Sequence, residues 1–142
     1  MKITKVGISN LGCPRNLVDA QKILGRLAHK GYRVVDIKDA DVGLVNTCSF
    51  IEDAKKESID AILELIDLKK DGRLKKVIVM GCLTERYKDE LLPHLKEVDA
   101  FVGRMSLNHD EHPGYSLTPR HSVYVKISEG CSQTCSFCVI PK

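Results

Sequence analysis

The stretch Val77-Ile78-Val79-Met80-Gly81-Cys82 joins four consecutive apolar residues to a glycine and a cysteine. A continuous apolar run is the pattern of a strand in a parallel sheet that is covered on both faces. Residues 6–13 and 42–48 follow the same plan, because each is a short β-rich run that ends in a cysteine. These stretches predict three parallel strands, each followed closely by a cysteine.

Amphipathic helices are predicted after these strands. Apolar residues recur at helical spacing over residues 17–28 and 51–66, and Gly31 and Gly72 stand where these two helices are expected to end. A shorter helix is predicted at about 84–95, with its first residue, a threonine, as the N-cap. Strands that alternate with helices in this way indicate an α/β fold.

The first domain is predicted to cover residues 1–103. Residues 32–36 and 100–102 add two further short strands to those described above. We expect an open, largely parallel sheet with flanking helices. In such a sheet the loops at the carboxyl ends of the strands line one crevice, and ligands bind there.

The composition excludes several classes of protein. The chain has 142 residues, of which 43% are hydrophobic and 29% are charged, and its net charge is +3. That charge is too small for a protein that binds nucleic acid mainly through its charge, and no apolar run approaches the roughly 18 residues of a membrane span. The N-terminus lacks the apolar centre of a signal peptide. The sequence therefore predicts a cytoplasmic protein, without membrane segments and without a strong signal for direct nucleic-acid binding.

The alternation of strands and helices ends at Gly103. Residues 104–121 are rich in polar and turn-forming residues and are predicted to form a linker. Residues 122–127 then alternate like a new strand, and the chain ends fifteen residues later. We therefore expect residues 122–142 to be the start of a second domain that has been truncated.

Three of the six cysteines, Cys13, Cys48 and Cys82, are 35 and 34 residues apart; we call them the first thiol set. Each follows a predicted strand, so the three could converge in the crevice of the sheet. Soft thiolates that converge select zinc, copper or an iron–sulfur cluster. Gly12 and Gly81 would let the backbone come close to such a bulky ligand. The alternative is that each cysteine is a small buried hydrophobic residue.

The other three cysteines, Cys131, Cys135 and Cys138, form a C-x3-C-x2-C run; we call them the second thiol set. Three thiolates this close in sequence can bind three irons of a four-iron cluster, which leaves one iron open to a substrate or cofactor. A zinc site is the main alternative, but it requires a fourth ligand, usually at pairwise spacing. The sequence offers no partner pair of that kind.

The second thiol set resembles the radical S-adenosylmethionine signature, since the run follows a predicted strand and Phe137 precedes its last cysteine. Residues 124–131 and 138–141 look like the methylthiotransferase family of these enzymes. One cysteine after each of three strands is a feature of the N-terminal domain of that family. The resemblance covers nearly all of residues 1–103 and 121–142.

Within that family, residues 11–19, Leu-Gly-Cys-Pro-Arg-Asn-Leu-Val-Asp, are similar to the RimO type, which modifies a ribosomal protein. The tRNA-modifying type usually has a glutamine where this chain has Pro14. The resemblance implies transfer of a methylthio group to the β-carbon of an aspartate in the twelfth protein of the small ribosomal subunit. It leaves open whether Asn16 and Asp19 act at a helix start or beside a cluster.

The same resemblance implies two four-iron clusters and S-adenosylmethionine as cofactors. The second thiol set would hold the cluster that binds S-adenosylmethionine, with Phe137 near its adenine. The first thiol set would hold an auxiliary cluster, where a methylated sulfur is presented for transfer. The implied partners are the ribosomal protein and an electron donor such as flavodoxin.

Two departures from the family affect these expectations. The chain ends at Lys142, without the barrel that would enclose S-adenosylmethionine, and its linker is shorter than is usual in the family. We therefore expect the isolated chain to bind an auxiliary cluster but to be inactive. The alternatives are a tRNA adenosine methylthiotransferase, a non-catalytic iron–sulfur module and a zinc-stabilised binding domain.

Overall fold

A parallel sheet lies at the centre of the chain. The computed structural model describes residues 3–103, 114–128, 130–138 and 140. The strands of the sheet are β1 (Lys5–Asn10), β2 (Arg33–Val34), β3 (Val42–Thr47), β4 (Lys76–Gly81) and β5 (Ala100–Val102). Their order across the sheet is β2-β1-β3-β4-β5, and every neighbouring pair is parallel. The predicted open, parallel α/β sheet is confirmed.

Three helices connect the strands: α1 (Pro14–His29), α2 (Glu52–Lys70) and α3 (Cys82–Leu91). Gly31 and Gly72 have φ angles of 87° and 75° just after α1 and α2, as expected for glycines at helix ends. The strand predicted over residues 32–36 is shorter than expected. Asp36 accepts a hydrogen bond from the backbone N–H of Lys38 and begins a 3-10 turn, which ends β2.

The third helix differs from the prediction at both ends. It begins at Cys82 rather than at Thr84, because Gly81 has a φ of 102° and turns the chain directly from β4 into the helix. Thr84 is therefore inside the first turn and is not the N-cap. The helix ends at Leu91, two residues before Pro93, since a proline cannot continue the helical hydrogen bonds.

Helices cover both faces of the sheet. Val45, Val77 and Val79 are fully buried on one face, where they belong to the same cluster as Ile62 and Leu65 of α2. The opposite face carries a second cluster, in which Ile23 of α1 packs with Val6, Leu44 and Met80. Residues 77–80 are buried on both sides for this reason, as their continuous apolar run predicted. Among the helices of the described ranges, none is both long enough and apolar enough to cross a bilayer.

Residues 122–127 do not form the strand that their alternation predicted. Val123, Val125 and Ile127 are 73%, 76% and 93% exposed, and within the described part of the chain no strand lies beside them. A strand needs a partner for its backbone hydrogen bonds, so alternation by itself does not produce one. Of the predicted linker 104–121, residues 104–113 lie outside the described residues.

Candidate metal centre

The first thiol set lies just beyond the ends of three adjacent strands. Asn10, Asn46 and Met80 are level with one another in β1, β3 and β4. Cys13 follows its strand by three residues, and Cys48 and Cys82 each follow the level position by two. The register of the sheet therefore brings three loops, distant in sequence, to one edge, as predicted.

These loops border an open cleft of about 1660 Å³. All three members of the first thiol set line it, and so does Cys131 of the second. Apolar side chains form much of the remaining wall, and a few charged groups stand among them. The other lining residues include Pro14, Phe50, Ile51, Ala54, Ile140, Arg15, Glu85 and Arg86.

The thiols differ in exposure, although none of the six forms a disulfide. Cys48 is 6% exposed, Cys82 is half-buried and Cys13 is exposed. Within the described ranges, no three side chains of His, Cys, Asp or Glu are grouped closely enough to hold a metal ion as they stand. The first thiol set thus shares one cleft without forming a closed ligand set, and its role as a ligand set stays a prediction.

The side chain of Asn16 connects the three loops. Its amide Nδ2 donates to the carbonyl oxygens of Leu11, at 3.1 Å, and Thr47, at 2.9 Å. Its Oδ1 lies 3.9 Å from the Sγ of Cys82, which donates a weak hydrogen bond to it. Asn16 is only 2% exposed. The question that the sequence left open about this residue has a structural answer: Asn16 braces the loops that carry the first thiol set.

Two further buried polar residues, which the sequence analysis did not select, complete this bracing. Asn46 donates through Nδ2 to Asn10 Oδ1 and to the backbone oxygen of Asn16, both at 2.8 Å. Ser58 on α2 accepts a hydrogen bond from the N–H of Cys48 and donates one to its carbonyl, both at 3.0 Å. A polar residue at the end of an apolar strand, such as Asn46, was the signal that could have pointed to this network.

Gly12 and Gly81 allow the loops to approach one another. A Cβ atom on Gly12 would lie 2.7 Å from the Cβ of Cys48, and one on Gly81 would lie 2.6 Å from the carbonyl oxygen of Thr47. Both glycines have positive φ angles, of 92° and 102°. The sequence predicted an approach of the backbone to a bulky ligand at these positions, and this stays a prediction; the atoms that come close in the structure belong to the adjacent loops.

The chemistry of the donors at this edge suits an iron–sulfur cluster. The donors are three soft thiols, one from each loop, which is the chemistry that such clusters require. Ser49 is one of the residues that line the cleft, and its buried hydroxyl has no hydrogen-bond partner in the described part of the chain. A buried hydroxyl without a partner is uncommon, and a sulfur atom in the cleft would supply an acceptor.

The second thiol set is arranged differently. Cys131 and Cys135 are exposed, Cys138 is half-buried, and the N–H of Cys138 donates to the carbonyl of Cys135 at 3.1 Å in a turn. Within the described residues, Cys131 is the one member of this set that lines the cleft. Phe137, predicted to lie near an adenine, is 89% exposed. The structure brings Cys131 to the first thiol set but leaves Cys135, Cys138 and Phe137 outside the cleft.

The sequence defines the class to which this domain belongs. The family described as "Uncharacterized protein family UPF0004" matches residues 5–103, well over half of the chain, so the chain belongs to this family. The matched range ends where the parallel sheet ends, just after β5.

Three bacterial proteins illustrate the relatives of this chain. The chain is 46% identical to "Ribosomal protein uS12 methylthiotransferase RimO" of Solibacter usitatus over 160 residues, which cover 97% of the chain and 34% of that protein. The proteins of the same name from Clostridioides difficile and Bdellovibrio bacteriovorus are 43% and 46% identical, over 97% and 96% of the chain and 37% and 36% of their own lengths.

These matches confirm the resemblance to the N-terminal portion of RimO-type methylthiotransferases. The chain spans about a third of the length of these relatives. The alignments run over 160 to 164 positions, more than the 142 residues of the chain, so the relatives contain residues that this chain lacks.

Proposed function

We propose that this chain is the N-terminal part of a methylthiotransferase and that its first thiol set holds an iron–sulfur cluster. The observation that carries the proposal is that Cys13, Cys48 and Cys82 follow level strand ends and line one cleft. Cysteines that are 35 and 34 residues apart reach the same cleft only because the strand register aligns the loops that carry them. The names of the relatives supply the reaction class.

The chain's own residues would perform three tasks in this function. Asn16 and Ser58 would hold the loops that carry the first thiol set at the edge of the cleft. The apolar wall, which includes Phe50 and Ile51, would limit the access of water. The cleft would also bring Cys131, the member of the second thiol set that lines it, to the same place.

For cofactors we propose two four-iron clusters and S-adenosylmethionine. The second thiol set would hold the second cluster, with Phe137 beside the adenine. These groups, when bound, supply reductive cleavage of S-adenosylmethionine and presentation of a methylated sulfur, and the protein positions the reactants. The electron donor would be a protein such as flavodoxin.

The substrate we propose is the ribosomal protein uS12, because the relatives are named for it. The acceptor would be the β-carbon of an aspartate, as in the RimO type. Pro14, which lines the cleft beside Cys13, favours this substrate over a tRNA adenosine. We propose that the protein is cytoplasmic, since a reducing compartment keeps cysteines out of disulfides.

The test is the content of iron and acid-labile sulfide per chain after anaerobic reconstitution. The wild type is compared with a Cys13→Ala/Cys48→Ala/Cys82→Ala variant and a matched Cys131→Ala/Cys135→Ala/Cys138→Ala variant. We expect about eight irons in the wild type and about four in each variant, because each set would hold one four-iron cluster.

Other outcomes distinguish the alternatives. If the wild type held about four irons and only the variant of the first thiol set lost them, the chain would be a module that holds a single auxiliary cluster. Zinc in place of iron, or no bound metal in the wild type, would contradict the proposal. Methylthio product formed by the isolated chain with a reductant and S-adenosylmethionine would contradict the expectation that the chain alone is inactive.

A further inference from the structure

A largely buried ion pair links α1 to the segment that precedes the second thiol set. Lys126 Nζ lies 2.8 Å from Asp19 Oδ1, and the two residues are 107 positions apart in sequence. The side chains are only 13% and 10% exposed. Asp19 belongs to α1, six residues after Cys13, and Lys126 precedes Cys131 by five residues. The pair therefore joins the helix that follows Cys13 to the segment that precedes the second thiol set.

The burial of this pair separates it from the ion pairs seen elsewhere among the described residues. Lys69 and Asp99, which are 2.6 Å apart, are 26% and 32% exposed, and Lys75 in its pair with Asp41 is 65% exposed. Removing two charges from water is costly, so a close pair with low exposure requires a geometry that the surrounding structure holds in place.

The neighbours of Lys126 show that its burial is specific. Val125 and Ile127 are 76% and 93% exposed, and the segment has no helix or strand of its own. The charged residue Lys126 is therefore held against α1, although the apolar residues on either side of it face solvent. A second attachment lies upstream, where the N–H of Tyr115 donates to the carbonyl of Gln21 on α1 at 2.9 Å.

We propose that Asp19 and Lys126 are a positioning pair that seats the second thiol set against the first. Five residues of extended chain span at most about 17 Å, so anchoring Lys126 on α1 restricts the reach of Cys131. Cys131 accordingly lines the cleft of the first thiol set. The purpose of this positioning rests on the proposed function, in which the two thiol sets act on one substrate. The positioning itself requires no metal.

The experiment measures this seating in the reduced, metal-free chain. A short bifunctional thiol reagent, dibromobimane, is added, and the crosslinks between Cys131 and the first thiol set are quantified by peptide mass spectrometry. We expect Asp19→Asn and Lys126→Gln each to lower their yield several-fold. The swapped variant Asp19→Lys/Lys126→Asp should restore most of it, because the opposite charges again face each other.

Matched controls separate positioning from folding. Asp99→Asn and Lys69→Gln remove a close ion pair at the far end of the sheet and should leave the yield unchanged. Lys126→Gln lies outside the sheet and its helices, so it tests the pair even if Asp19→Asn unfolds the domain, which far-UV circular dichroism would reveal.

An unchanged yield in Lys126→Gln would overturn the proposal. A loss that the swapped variant does not reverse would also overturn it, since the effect would then not come from the pairing of charges. Because no metal is present, neither outcome depends on whether the thiols bind iron, and the iron analysis above tests that question separately.

Discussion

The two thiol sets present the same donor atoms in opposite structural settings. In the first set, Cys48 is 6% exposed and both its N–H and its carbonyl are bonded to Ser58. In the second, Cys131 and Cys135 are exposed, and a backbone turn provides the local order. The first set depends on the sheet, because its members are 34 and 35 residues apart. The second depends on short spacing, which keeps its thiols close whatever the rest of the chain does.

From this difference we predict that damage to the sheet edge affects the first thiol set and leaves the second unchanged. The largest effect is expected from Asn16→Ala, which leaves the carbonyls of Leu11 and Thr47 without their donor. Each buried group left unpaired costs about 1–3 kcal/mol, so we expect a loss of roughly 2–4 kcal/mol in the free energy of unfolding. Urea denaturation measures it, and iron analysis should show a loss confined to the first thiol set.

The control for this substitution is Lys30→Ala, at an exposed position after the same helix. Its effect should stay within about 0.5 kcal/mol. If Asn16→Ala were to remove iron equally from both sets, the independence of the second thiol set would be refuted.

A smaller effect is expected from Gly12→Ala. The positive φ angle disfavours alanine by about 1–2 kcal/mol, and the new Cβ would also lie 2.7 Å from the Cβ of Cys48. Gly31→Ala is the matched control, because Gly31 also has a positive φ but a Cβ added there would meet no atom within 4 Å. We expect Gly12→Ala to be the more destabilising in thermal unfolding, and to be the one that lowers iron in the first set. Equal effects would show that close approach of the loops contributes nothing.

Ser49→Ala should change the properties of a cluster in the first thiol set without disturbing the fold. The hydroxyl has no partner in the described structure, so its removal should leave the free energy of unfolding nearly unchanged. With a cluster in the cleft, loss of a hydrogen bond to sulfur should move the reduction potential of that cluster to a more negative value. Thr84→Val is the control, since Thr84 is equally buried and partnerless within the described residues but is not among those that line the cleft. A potential that moves in Thr84→Val and not in Ser49→Ala would contradict the assignment.

The smallest effect concerns Asp99, near the amino end of β4. Burial would raise the pKa of its carboxyl, but hydrogen bonds from Lys69 Nζ and from the N–H of Val77 hold that pKa below its usual range. A lowered native pKa stabilises the fold above the unfolded value of about 3.9, and this contribution is lost as the pH falls through the native value.

We therefore expect Asp99→Asn to be less stable than the wild type by no more than about 1 kcal/mol at neutral pH, because the pair is partly exposed. The difference should disappear in urea denaturation at pH values below the native pKa. Iron content should not change in either thiol set, and a loss of iron would show that the two ends of the sheet are coupled.

Much of the architecture could be predicted because it follows from local patterns. The apolar run of residues 77–80 reflects burial on both faces, and Gly31 and Gly72 mark real helix ends. The strand predicted over residues 122–127 was wrong, since alternation describes a face and does not supply a neighbouring strand. Thr84 was misassigned as an N-cap because the turn at Gly81 depends on how β4 packs against Thr47.

The sequence by itself determined which residues could act: three cysteines after three strands, and three more at short spacing. Only the tertiary structure decided how they meet. Strand register brings the first thiol set to one cleft, Asn16 ties its loops together, and the pair of Asp19 with Lys126 anchors the segment that leads to Cys131. The physical reason is that hydrogen bonds and ion pairs between residues 31 to 107 positions apart leave no periodic trace in the chain.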